Sequence, residues 1–407
     1  MSAAAVGGEG SKARVRRLWL SSVGITAAKL LERRGGVSLK LAQVLSTRAD
    51  VLPPEVTEQL RRLQDAVRPM PLNEVERILA AAYPGCLSAL FEHIDLAPIA
   101  SGSVAQVHRA VLAGTHRLVV LKLRRRTIRS ALDRDVRLVR RVGHCLSSLP
   151  GFADIPFREA LDAASEALAN QADFSQEARH HREAGAYLAG NPQVTVPNLV
   201  RPLCRTDVLV MDYVSQATPL GSHASDRVNR EATVLTVRAL YGLLFDRGLI
   251  HCDLHPGNVL VRADGTVALI DFGYVAKLSP QVRQQFAEFF LSLVLGDGHG
   301  AARIAIDMAS SRSPRFNESA FNAEVRALVE NNTRRVACEF TIVGFVTALF
   351  AIQRRHGLRA SPAFTGAILG LLALEGTVRR VCPGLDFQRE ALPFVIRAAN
   401  GGNLQTQ

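Results

Sequence analysis

The sequence predicts an α+β protein of two lobes preceded by a helical extension, and three observations predict it. Apolar residues recur at helical spacing from Lys12 through Ala82, whereas short alternating runs typical of strands begin at Ile94 and return near Val208. Beyond a polar linker helical patterns prevail, interrupted once by a compact set of short apolar runs between Leu249 and Asp271. Polar side chains gather at the ends of those runs, which is where a binding or catalytic loop would stand.

At 407 residues the chain is long enough for two lobes and an extension, and 48% hydrophobic with 21% charged residues is an ordinary globular balance. A formal charge of +12 suits an anionic partner: a nucleotide, an acidic lipid surface or nucleic acid. No RNA-binding motif accompanies it, and aromatics reach only 6%, which argues against nucleic acid. The six cysteines, Cys86, Cys145, Cys204, Cys252, Cys338 and Cys382, form no C-x-x-C pair and read as reduced thiols of a cytoplasmic protein. No apolar run reaches the ~20 residues a membrane span requires, so no transmembrane helix is expected.

Residues 1–11 are small and flexible and read as a disordered tail. From Lys12 to Arg34 the residues Val15, Leu18, Trp19, Val23, Ala27, Leu30 and Leu31 define a basic amphipathic helix. It could lie as a peripheral contact on an anionic membrane, but packing of its stripe on the protein's own body is favoured. Gly35 and Gly36 close it, and a second helix runs from Val37 to Arg48 before Pro53-Pro54, with Lys40 and Gln43 on one face. Further helices cover Glu55–Leu63 and Asn73–Ala82.

Val104–Leu112 and Leu118–Leu123 read as paired strands joined at Ala113-Gly114-Thr115. Before them, Ala100-Ser101-Gly102-Ser103 is a run of small residues whose backbone N–H groups could approach phosphates closely. Lys122 is a lone charge inside an apolar strand; a buried ammonium is costly unless it is paired, so it is a candidate phosphate-binding lysine. The arginines from Arg124 to Arg141 read as a solvated helix face. One helix is then expected from Phe157 to Ala189, carrying Gln171, Asp173 and Glu177 on nearly one face, with Glu177 the first candidate to brace Lys122 and Glu166 and Glu183 left open. Val208–Val214 is a strand running into a linker. There the groups at Met211, Asp212 and Tyr213 would meet an adenine edge.

The most informative stretch is Leu249-Ile250-His251-Cys252-Asp253-Leu254-His255-Pro256-Gly257-Asn258, followed by Val259–Val261, a turn at Asp264-Gly265 and Val267–Ile270 ending in Asp271-Phe272-Gly273. It reads as phosphoryl-transfer machinery. Asp253 would orient or deprotonate the acceptor, while Asn258 and Asp271 offer the oxygen ligands a hard cation such as Mg²⁺ prefers. Gly257 and Gly273 are expected where the backbone takes unusual angles or approaches closely. From Pro280 to Ala399 helices are expected, with no A-P-E tripeptide.

With these motifs the chain resembles the UbiB/AarF-type atypical kinases over roughly residues 35–383. Lys40-Leu41-Ala42-Gln43 is similar to that family's K-x-G-Q segment, Ala100–Ser103 to its alanine-rich loop, and Gln171-Ala172-Asp173 to its E-x-D motif, with the bracing glutamate at Glu177. The resemblance implies a protein-kinase-like fold binding ATP or ADP with Mg²⁺, and activity toward water or a small molecule in quinone or isoprenoid lipid metabolism. It also implies that Lys40 pairs with Asp173. Four positions depart from the pattern: Gln171 lacks the carboxylate, Ala42 replaces glycine, and Ser101 and Gly102 replace alanines.

Two other readings compete. An aminoglycoside- or choline-kinase-like phosphotransferase shares the H-x-D-x-H-P-G-N flavour but gives Lys40 no role. A catalytically silent nucleotide-binding scaffold would be expected to have lost one of Lys122, Asp253, Asn258 or Asp271. The expected domains are a helical extension over 12–92, an N-lobe over 93–214 with helices inserted at 125–190, a helical C-lobe over 215–400 and a tail over 401–407.

Overall fold

The computed structural model describes residues 4–34, 36–47, 52, 54–61, 63, 68–126, 128, 134–137, 140–141, 157–333 and 341–400. Their contacts divide into two units. One takes the described residues up to Ser175 together with Val200–Met211; the other takes Gln176–Leu199 and the described residues from Asp212 onward.

The first unit begins with α1 (Ala4–Arg34), α2 (Gly36–Thr47) and α3 (Pro54–Arg61). Helix α1 starts at Ala4, well before Lys12, within the segment read as a disordered tail, even though Gly7, Gly8 and Gly10 have low helix propensity. Its Leu20, Ala28 and Leu31 pack with Leu41, Val44 and Leu45 of α2 and Val56 and Leu60 of α3, with Trp19 and Val23 partly buried against them, whereas Leu18 and Leu30 of the expected stripe stay exposed, at 63% and 37%. Leu161, Ala164 and Leu168 of α6 (Phe157–Gln171) complete that core.

A second core in this unit lies against a sheet. Helices α4 (Leu72–Ala82) and α5 (Leu87–Leu90) precede β1 (Phe91–Ile94), β2 (Ala100–Ser101), β3 (Ala105–Leu112) and β4 (Leu118–Arg124). With β6 (Val208–Asp212) these form a sheet ordered β1-β3-β4-β6, and β2 pairs β3 off that path. Alternation along β4 decides its role. Val119, Leu121 and Leu123 face Val75, Ile78 and Leu79 of α4. Fully burying such side chains stabilises by about 1.5–3 kcal/mol each. The opposite face carries Lys122 and Arg124, at 9% and 8% exposure.

Helix α7 (Phe174–Leu188) follows α6 after a break at Ala172 and Asp173, where a single continuous helix was expected. The Asp173 carboxylate accepts from the Ser175 N–H (2.9 Å) and hydroxyl (2.6 Å), which caps α7 and starts it afresh. Gln171, Asp173 and Glu177 therefore do not share one helical face.

In the second unit, β5 (Val194–Thr195), β7 (Ala217–Pro219), β9 (Val259–Arg262) and β10 (Val267–Leu269) form a sheet ordered β5-β10-β9-β7, and β8 (Leu249–His251) pairs β11 (Val275–Lys277). Helices α8 (Asp226–Arg247), α9 (Pro280–Leu295), α10 (Gly298–Asp307), α11 (Glu318–Thr333), α12 (Ile342–Arg355), α13 (Pro362–Val381) and α14 (Phe387–Ala399) make up most of the remainder. The region from Pro280 onward is not wholly helical: β12 (Ala309–Arg312) and β13 (Leu358–Ala360) pair antiparallel. These strands are short and partly exposed, so they lack the apolar alternation that would have marked them.

Candidate functional site

Within the first unit, β2 and the turn after it hold the small-residue loop. Ala100 pairs Val107, Ser101 pairs Gln106, and the Gly102 N–H donates to the Ala105 carbonyl (2.9 Å). Arg125 fastens this loop: its guanidinium donates to the carbonyls of Gly102 (2.8 Å) and Arg68 (2.8 Å) and to the Ser101 hydroxyl (2.9 Å). Ser103 is buried beside it.

Behind the loop a polar relay runs in one direction. The His108 ring donates from Nδ1 to the Asp95 carbonyl (2.9 Å), so its Nε2 accepts from the Gln106 amide (2.9 Å), whose Oε1 in turn accepts from the Met70 N–H (2.6 Å). A carbonyl at one end and an N–H at the other leave the imidazole neutral. Burial pushes its pKa down further.

Lys122 lies with its ammonium 5.8 Å from the centroid of the buried Phe174 ring, a cation–π contact at the first residue of α7. Next on the same face, Arg124 donates to the Ala172 carbonyl (2.7 Å) and forms an ion pair with Asp207. It thereby ties the Gln171-Ala172-Asp173 turn to the strand bearing Lys122. This corrects the expectation of a solvated arginine face: Arg124 ends a strand with its charge buried and paired. Arg125 is consumed by the loop; further along, Arg134, Arg137, Arg140 and Arg141 are helical and exposed, as expected of a solvated face, and Arg129 lies outside the described residues. Lys40 is half-buried on α2 between the buried Leu39 and Leu41, and Ala42 is fully buried in the same helix. The Gln43 side chain lies outside the described residues.

Within the second unit, two pairs of strands set the motif bearing Asp253, Asn258 and Asp271. β8 pairs β11 with His251 opposite Val275, and the Cys252 N–H extends the ladder to the Tyr274 carbonyl (2.9 Å). β9 pairs β10 with Val259 opposite Leu269, and the Ile270 N–H extends that ladder to the Asn258 carbonyl (3.0 Å). Asp253 and Asp271 each follow directly on one of these ladders. The Asn258 side chain donates from Nδ2 to the Asp253 carbonyl (2.9 Å), which leaves its Oδ1 for another partner.

Asp271 has φ +61°, a left-handed conformation that aspartate tolerates better than most side chains. Its Oδ1 accepts from the Gly273 N–H (3.2 Å), closing the D-F-G turn. Gly257 and Gly273 themselves do not have positive φ, so the freedom expected at the glycines is exercised at Asp271. Gly273 sits close to two carboxylates: a Cβ there would stand 3.1 Å from Asp271 Oδ1 and 3.2 Å from Glu177 Oε2, so either would have to give by a few tenths of an ångström. The structure thus brings Glu177, 1% exposed, to the D-F-G turn.

Three histidines that the sequence reading passed over surround the same turn. Phe272 packs edge-on to His181 (centroids 5.4 Å) and against His251 (5.7 Å). Burial is the largest influence on both His180 and His251 and pushes their pKa values down; Asp271 and Asp253 oppose it at His251. The signal for His251 was its place two residues before Asp253, whereas His180 and His181 had none. Burial also raises the Cys252 thiol to about 12, so it is protonated and unreactive. Of the groups expected to meet an adenine, Met211 is buried and the Asp212 N–H is engaged by the Asn198 carbonyl (3.0 Å).

Residues 62–305 match the ABC1 atypical kinase-like domain. The chain belongs to the ABC1 atypical kinase-like family. Among its relatives, the probable protein kinase UbiB of Serratia proteamaculans is 30% identical and that of Vibrio cholerae 28%, each over 90% of this chain and 68% of its own length. An uncharacterized Synechocystis protein is 30% identical over 86% of this chain and 88% of its own. Rv3197 of Mycobacterium tuberculosis, solved in complex with erythromycin, superposes with a TM-score of 0.53 over 93% of this chain and 98% of its own at 21% identity. The family match and this superposition show a kinase-like fold of mixed helix and strand, as the motifs led one to expect. Among the described residues no helix is long and apolar enough to cross a membrane.

Proposed function

We propose that this ABC1-family chain binds Mg-ATP and transfers its γ-phosphoryl group to water or to a small molecule of quinone or isoprenoid lipid metabolism. The observation that carries this reading is the arrangement of Asp253, Asn258 and Asp271 at the ends of two paired ladders, joined by the bond from Asn258 to the Asp253 carbonyl.

The donor set fits a hard divalent cation: one carboxylate at Asp271 and one amide oxygen at Asn258, whose nitrogen is already committed elsewhere. Magnesium bound there would neutralise charge on the phosphates and leave most of its shell to them and to water. Asp253 would accept the proton of the attacking hydroxyl, and Lys122 would hold the α- and β-phosphates with Glu177 bracing it. The loop Ala100–Ser103, fastened by Arg125, would supply backbone donors to the nucleotide. Asp212 and Tyr213, following Met211, would flank the adenine. Lys40 would pair with Asp173.

The test is ATP turnover by the purified chain against a panel of phenols and prenyl lipids, with mass detection of product. A phosphorylated panel member identifies the acceptor class, phosphate alone identifies an ATPase, and no turnover with intact nucleotide binding supports the scaffold reading. Lys40→Ala separates the remaining alternative. It lowers turnover at least about tenfold if an ion pair with Asp173 organises the site, and leaves it intact in an aminoglycoside- or choline-kinase-like enzyme.

A further inference from the structure

A cavity lies among the helices of the second unit. It has a volume of about 450 Å³, within the roughly 300–1,000 Å³ range of small-molecule sites. Phe286, Phe289 and Phe290 of α9, Phe345 of α12 and Ile368 and Leu371 of α13 give it an apolar lining. Its polar lining is confined to Asn332, Asp386, Gln388 and Arg389.

These polar groups are not equivalent. Asp386 is committed to the start of α14, where its Oδ1 accepts from the Arg389 N–H (3.1 Å). The exposed Arg389 guanidinium has no ion-pair partner among the described residues. A cation without a partner beside an apolar cavity selects a ligand with an apolar body and an anionic head.

The walls are held firmly. Glu375 of α13, 1% exposed, accepts from the N–H groups of Ile342 and Val343 (3.1 Å each) and from Arg379 (2.8 Å), so it fixes the first turn of α12 against α13. Thr341 caps the same turn through the Gly344 N–H (3.1 Å).

We propose that this cavity binds an apolar small molecule carrying a carboxylate or comparable anionic head, with the head at Arg389 and the tail among the phenylalanines. The site is separate from the residues assigned to nucleotide. Its binding is measured with nucleotide absent, so the two proposals fail independently.

Laurate and dodecanol, which share a tail and differ in the head, are titrated into the full chain by calorimetry. Both bind at one saturable site. Arg389→Gln weakens laurate about tenfold and leaves dodecanol within about twofold, as expected for loss of one charge-assisted contact. Val346→Trp, which fills the cavity, abolishes both. Because that variant could disturb the fold, a diazirine-bearing laurate is also crosslinked to the unaltered chain, and the label maps to peptides within 286–294, 342–346 or 368–392. Absence of saturable binding, indifference of laurate to Arg389→Gln, or label confined to the stripe of α1 overturns the proposal.

Discussion

Individual contacts at the D-F-G turn and around it set the tolerances of the site. Gly370 is the tightest: a Cβ on it would stand 1.9 Å from Ile250 Cγ2, because α13 lies directly on β8. Two further contacts join α13 to the loop that follows β8, Thr377 donating to the Leu254 carbonyl (2.9 Å) and the Cys252 thiol to the Gly366 carbonyl (3.8 Å). Gly370→Ala is expected to destabilise the protein by about 1–3 kcal/mol through overpacking. Thermal unfolding measures this, and an unchanged midpoint would show that α13 does not press on β8. Asp173 offers a second test, since asparagine is also a good helix cap. Asp173→Ala should cost about 1 kcal/mol through loss of the α7 cap. Asp173→Asn should keep that stability yet lose turnover, if the carboxylate charge serves Lys40. Equal activity of Asp173→Asn and the unaltered chain removes that pairing from the account.

At the scale of elements, Glu375 shows how one buried carboxylate can hold two helices. It caps α12 from within α13 while paired to Arg379. Glu375→Ala would leave two helix N–H groups without this acceptor and break the pair with Arg379, and the expected loss is about 3–5 kcal/mol in denaturant unfolding. A loss under about 1 kcal/mol would mean that the α12 cap at Thr341 suffices alone.

Much of this level was legible in the sequence. The strands around Lys122 and the loops bearing Asp253 and Asp271 announced themselves, because period-two alternation and turn residues are local signals. The break between α6 and α7 did not. Leu161, Ala164 and Leu168 keep helical spacing up to Ala172, so the pattern reads on through the cap. Nor did the work of Arg124 and Arg125. Their partners Asp207, Ala172, Gly102 and Arg68 are distant in sequence, and a run of arginines resembles a solvated face until those partners are known. The histidines at 180 and 181 were silent for the same reason, since only the fold brings His181 to Phe272.

For the whole molecule, three buried imidazoles make stability depend on pH. His108, His180 and His251 all have pKa values below the ordinary 6.5, chiefly through burial. The unfolded chain therefore binds protons that the folded chain refuses, and stability rises with pH across that window. Their contribution is full above 6.5 and is lost as the pH falls from there through the lower folded values. Urea midpoints should accordingly fall between pH 7.5 and pH 5.5, before carboxylates titrate. A flat profile there would mean that these rings are open to water.

The central claim is that Asp271, set in its left-handed turn, supplies the carboxylate through which this family member grips magnesium and nucleotide. Its most direct test is calorimetric titration of ATP, with and without Mg²⁺, into the unaltered chain and Asp271→Asn. Magnesium-dependent binding in the former and its loss by at least about a hundredfold in the latter is the predicted result, as removal of a charged ligand requires. Equal affinity of the two proteins for Mg-ATP would contradict it.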